Sequence, residues 1–166
     1  MSGEPVPVEL VGVRIELPTN QPIVLLREVG GSRFLPIWIG AGEATAIAFA
    51  IEGVEPQRPL THDLLRTVVD ALGASVHRVV VTELRDGIYF ADLVFRRSEQ
   101  GDEVVVSSRP SDAIALAART ETPLFVDPAV LEEAGVEIHD EDEEAEVERF
   151  RGFLDEINPE DFGTPT

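Results

Sequence analysis

For the first forty residues, apolar side chains fall in short β-rich runs, and the spacing then changes to a helical period. Val8, Leu10, Val11, Val13 and Ile15 form one run, Ile23 to Val29 a second and Phe34 to Ile39 a third, each bounded by turn residues, as strands are. Gly30-Gly31 makes the link between the second and third a hairpin turn. Ala44, Ile47, Ala48 and Ile51 then keep an i, i+3, i+4, i+7 stripe up to Gly53. Leu64, Leu65, Val68, Val69 and Leu72 keep another up to Gly73, so two helices are predicted. Val76 to Leu84 and Ile88 to Phe95 flank Asp86-Gly87, a strong hairpin signal, and Val104-Val105-Val106 completes a three-stranded meander. Ser111 to Thr120 reads as a third helix, Leu124-Phe125-Val126 as a short strand, and Pro128 to Ala134 as a short helix stopped by Gly135.

The predicted order is βββαα-βββα-βα. Strands come in groups followed by helices, which indicates an α+β fold with a mostly antiparallel or mixed sheet and packed helices. No clean internal repeat is visible. Beyond Ile138 the pattern changes, because His139 is followed by Asp140-Glu141-Asp142-Glu143-Glu144, and like charges this dense favour a solvated linker. Val147, Phe150, Leu154 and Ile157 then recur at spacings of 3, 4 and 3, one face of an amphipathic C-terminal helix. The expected division is a domain over residues 1–138 and an acidic linker with that helix over residues 139–166.

Charge sharpens the picture. The 166 residues carry 32 Asp plus Glu and 13 Lys plus Arg, a net charge of −19. The first 136 residues hold 20 acids against 11 Arg, and the last thirty hold 12 against two, so about half of the excess lies in the tail. Every basic residue is Arg, which excludes a lysine Schiff base or lysine phosphate clamp, and the absence of Cys excludes thiolate metal sites, Cys nucleophiles and disulfides. Nonspecific duplex binding through charge is disfavoured, since it rests on clustered cations, so any nucleic-acid contact is expected through a local site. Arg96 and Arg97, with Arg78 and Arg85, are the candidate basic patch, weakened because alternation puts Arg96 and Arg97 on opposite faces. The start of the chain has neither a basic leader nor an apolar segment, and no apolar run reaches the roughly 20 residues of a membrane span. The expectation is a cytoplasmic protein without a membrane partner.

Three segments carry more polar chemistry than packing requires. Leu35-Pro36-Ile37-Trp38-Ile39-Gly40-Ala41-Gly42-Glu43-Ala44 is a strand that ends in glycines and opens a helix, with Glu43 in the first turn, where the helix dipole favours an acid. Arg58-Pro59-Leu60-Thr61-His62-Asp63-Leu64 opens the second helix, with Thr61 as the expected N-cap. A His beside a carboxylate suits a general base, or the pair His62 and Asp63 suits a metal. Neighbours on a helix point about 100° apart, however, so the two cannot easily share one ligand. Ser107-Ser108-Arg109-Pro110-Ser111-Asp112 opens the third helix. Pro110 suits its first position and Asp112 its dipole, and the same Arg, Ser and Asp are what phosphate handling with a hard cation requires. Helix capping and surface polarity account better for the first two segments, and as well for the third. A Ser-His-Asp triad lacks the supporting Gly-x-Ser-x-Gly elbow, His77 reads as cross-strand packing, and His139 lies in the linker.

Taken in order, these three blocks, with Pro123-Leu124-Phe125-Val126, resemble the bifunctional nuclease (BFN) domain family of bacteria and plants, over roughly residues 6 to 138. The resemblance implies an α+β fold, a homo-oligomer with a dimer favoured, and nuclease activity on DNA and RNA. Carried over by motif, the site residues are Glu43, His62, Asp63, Arg109, Ser111 and Asp112. On this reading Glu43, Asp63 and Asp112 hold Mg²⁺ or Mn²⁺, His62 activates water and Arg109 binds the scissile phosphate. The alternative is a regulatory or protein-interaction module of the same fold, whose polar residues only cap helices.

Overall fold

The structure, a computed structural model, describes residues 3–97 and 101–138. β1 (Val6–Glu16), β2 (Gln21–Glu28) and β3 (Arg33–Trp38) form a meander that leads into α1 (Ala41–Glu52) and α2 (Thr61–Ala71). β4 (Ser75–Arg85), β5 (Ile88–Arg96) and β6 (Glu103–Ser108) form a second meander, followed by α3 (Pro110–Thr120), β7 (Leu124–Val126), α4 (Pro128–Ala134) and β8 (Val136–Glu137). The molecule is α+β with the expected element order; the short β8 is an addition. The acidic linker and C-terminal helix expected over residues 139–166 lie outside the described residues.

All eight strands belong to one mixed sheet, ordered β6-β5-β4-β7-β1-β2-β3-β8. Neighbours are antiparallel except β4 and β7, which run parallel. β7 therefore joins the two meanders. Leu124 pairs with Val79 of β4 on one side and Val8 of β1 on the other, and Val126 pairs with Val81 and Val6. The β4–β5 hairpin closes through Asp86 and Gly87, with φ of 53° and 78°, the two positive values that a type I′ turn demands.

The core is aliphatic. Val13, Val24, Leu26, Leu35, Val79 and Val81 from the sheet pack with Ala44, Ile47 and Ala48 of α1 and Ala113, Ile114 and Leu116 of α3. α1 rests on β1 and β2, α3 on β4 and β5, and the two helices touch, so they share one face of the sheet. Ala44 through Phe49 are all buried, as expected of a helix apolar all round. Gly53 ends α1 at φ 68°, its N–H bonded to the Phe49 carbonyl, a left-handed conformation natural to glycine.

α2 is attached differently. It packs mainly on α3, and His62 is its one buried residue. The apolar stripe predicted for it splits. Leu65 turns toward the core, whereas Leu64, Val68 and Leu72 lie 55%, 43% and 79% exposed among the described residues. The segment that delivers His62 is thus the least anchored of the three main helices.

Candidate functional site

The three polar segments each place an acid at the third position of a helix. Gly40 precedes α1, Leu60 precedes α2 and Arg109 precedes α3, all with extended backbone. Counting from these caps puts Glu43, Asp63 and Asp112 in equivalent places, where an acid meets unsatisfied N–H groups and the positive end of the helix dipole. The cap of α2 is Leu60 rather than Thr61, because Asp63 reaches back to accept a hydrogen bond from the Leu60 N–H at 3.0 Å. Glu43 also folds back over its cap: a β-carbon on Gly40 would run into the Glu43 carboxylate. Glycine at 40 leaves room for that acid.

Two of the acids meet through an arginine. Arg109 Nε donates to Asp112 Oδ2 at 2.9 Å, and Arg109 Nη2 lies 3.0 Å from Glu43 Oε1 and 2.9 Å from Asp112 Oδ2. The other oxygen of Asp112, Oδ1, lies 3.0 Å from His62 Nε2. A continuous chain Glu43–Arg109–Asp112–His62 therefore crosses the starts of α1, α3 and α2. It borders a cleft of about 560 Å³ that is also lined by Gly42, Pro59 and Thr61. The His62 side chain is 11% exposed and that of Arg109 64%, so the imidazole is held in the wall while the guanidinium faces solvent.

Electrostatics match this geometry. Burial pushes the Asp112 carboxyl up, but hydrogen bonds from Arg109 and His62 and the charges behind them outweigh it and hold the group below the usual Asp range. Asp112 raises Arg109 in turn, through the hydrogen bond first and the charge second. Asp63 is also held low, with burial overcome by the hydrogen bonds from Arg119 and the Leu60 N–H.

Glu43, His62, Arg109 and Asp112 are brought together. Asp63 turns away: its Oδ1 accepts from Arg119 Nε at 2.7 Å, and the Arg119 side chain is 6% exposed. Ser111 is buried and lines a neighbouring cleft instead of this one. Arg119 escaped sequence reasoning because it closes α3, 56 residues from Asp63. Tyr89, which lines the neighbouring cleft with Trp38, gave no signal beyond its strand pattern, and Trp38 stood out only as part of the first polar segment. Arg78 and Arg96 converge on Glu103 with His77, and the Arg85 guanidinium sits 4.7 Å from the Phe90 ring centre. These arginines are thus engaged within the sheet. Among the described residues no helix is long and apolar enough to cross a membrane.

Fold and site together define an α+β domain that gathers three helix starts around one acid–arginine–histidine chain. The pattern of the bifunctional nuclease domain family matches residues 24–139. An uncharacterized protein of Mycobacterium tuberculosis is 51% identical over 163 residues, covering 93% of this chain and 96% of its own length. Bifunctional nuclease 2 of Arabidopsis thaliana is 31% identical over 128 residues, 75% of this chain but 39% of the plant protein. Bifunctional nuclease 1 of the same plant is 33% identical over 114 residues, 66% of this chain and 35% of its own. The chain belongs to the bifunctional nuclease domain family.

Proposed function

We propose that the cleft between the three helix starts hydrolyses phosphodiester bonds of DNA or RNA. One observation carries the reading: the imidazole of His62 at the start of α2 meets the carboxylate of Asp112, 50 residues away, which with the Arg109 guanidinium opens α3, at the mouth of a single cleft. In this mechanism the Nε2–H of His62 donates to Asp112, which leaves Nδ1 to take a proton from water as the water oxygen bonds to phosphorus and the ester P–O bond breaks, its electron pair departing on the ester oxygen, which takes a proton from solvent. Asp112, held ionised by Arg109, fixes the tautomer and steadies the imidazolium that forms. With Nε and Nη2 engaged, the Nη1 edge of Arg109 meets a phosphate oxygen. The converging helix starts add positive potential that a net charge of −19 would otherwise deny an anion.

Among the described residues no group of three or more His, Asp or Glu side chains is arranged to hold a metal ion. The donors present fit a sparser site of the kind Mg²⁺ or Mn²⁺ uses, with one or two carboxylates and the rest from substrate phosphates and water. Glu43 and Asp112 would hold it in exchange for part of their pairing with the exposed Arg109, while Asp63 is engaged by the enclosed Arg119. When bound, such an ion polarises the phosphoryl oxygen. A regulatory or protein-interaction role is the second reading, favoured by the way Glu43, Arg109 and Asp112 satisfy one another.

Hydrolysis of labelled single-stranded DNA and RNA with Mg²⁺, Mn²⁺ or EDTA separates the two. Loss of about 10² to 10⁴ in rate is expected for His62→Ala, and weaker substrate binding for Arg109→Ala. Activity untouched by both would place catalysis elsewhere, and none in any metal would favour the interaction role.

A further inference from the structure

A second cleft, of about 350 Å³, adjoins the first and is lined by Trp38, Gly40, Ile88, Tyr89, Arg109 and Ser111 among others. Arg109 borders both clefts, so a phosphate on its guanidinium has one neighbour on the His62 side and another on the Trp38 side. The lining of this cleft contains one cation and neither Asp nor Glu, although the chain carries an excess of 19 negative charges. With a single cation it is poorly suited to a second phosphate and well suited to a neutral planar group.

Trp38 ends β3 half exposed, at 51%. Its orientation is set, because the indole Nε1–H donates to Glu16 Oε2 at 2.8 Å. Ile88, 60% exposed at the β4–β5 hairpin, adds apolar surface, and the Tyr89 hydroxyl reaches toward the Pro36 carbonyl at 3.5 Å. An oriented, accessible indole with an aliphatic neighbour beside a phosphate-facing arginine is the combination by which proteins hold unpaired bases, through stacking that tolerates any sequence.

We infer that this cleft is a nucleobase subsite, in which the base adjoining the phosphate on Arg109 stacks on Trp38. The inference rests on the first cleft being a phosphodiester site, and it specifies single strands as the substrate, since a paired base is not available to the indole. Ser111 then lies beside the base instead of at the bond that is cut.

Trp38 is the chain's one tryptophan, so intrinsic fluorescence reports on this position directly. The test is a titration in EDTA with end-labelled oligothymidylate and an abasic strand of equal length, read by tryptophan emission and by anisotropy. Saturable quenching is expected with oligothymidylate alone, and roughly tenfold weaker binding of the abasic strand. Trp38→Ala should lower affinity for oligothymidylate to the abasic level, and Trp38→Phe should restore most of it. Equal affinity for both strands without quenching overturns the subsite, and this comparison needs only the wild-type protein should Trp38→Ala fail to fold. Failure of hydrolysis in every metal with base-dependent quenching intact would count against the hydrolytic reading alone. Hydrolysis without base dependence would count against the subsite alone.

Discussion

Asp63 and Asp112 occupy the same position in their helices, and both titrate below the ordinary Asp range, yet they serve different ends. Asp63 neutralises Arg119, whose side chain is almost wholly enclosed. Asp63→Asn leaves that guanidinium buried without its counter-charge, a change expected to cost about 2 to 3 kcal/mol in urea denaturation while sparing the cleft. The sign of the pH effect follows from the depressed value. The Asp63 contribution is complete above the unfolded Asp pKa of about 3.9 and is lost as pH falls through the lower native one. The urea midpoint of wild type should drop more steeply below about pH 4 than that of Asp63→Asn, and parallel acid limbs would refute the assignment. Sequence separated His62 from Asp63 correctly, by the angle between adjacent helical positions. It could not tell which would reach Asp112 and which Arg119, because both partners lie fifty or more residues away.

Each of the three helix starts that build the site was visible in sequence, since proline, glycine and an early acid are local signals. Their convergence was not, because it depends on α1 and α3 lying side by side and on β7 joining the two meanders. Alternation within Leu124-Phe125-Val126 cannot reveal that its neighbours are β1 and β4. The helical period of α2 was also legible, but which apolar residues face inward was decided by the α3 surface. That helix buries one residue where α3 buries seven, so it should open more readily than its neighbours. Native-state hydrogen exchange should find α2 amides exchanging at least about tenfold faster than those in the middle of α3. Equal protection would mean that α2 is anchored by more than the described contacts.

For the whole molecule, the unusual feature is an acidic domain belonging to a family whose plant relatives carry the name nuclease. The charge excess is met locally: two acids are spent on Arg109, one on Arg119, and the cleft sits where three helix dipoles present their positive ends. Composition exposed the electrostatic difficulty, and only the fold showed how a site can be insulated from it. In the proposed mechanism His62 and Asp112 act as one unit beside Arg109, and a double-mutant cycle under single-turnover conditions on single-stranded substrate tests this most directly. His62→Ala is expected to slow the cut by about 10² to 10⁴, Asp112→Asn by a comparable factor, and the double variant by no more than the worse of the two. Losses that multiply, or full activity in either single variant, would contradict it.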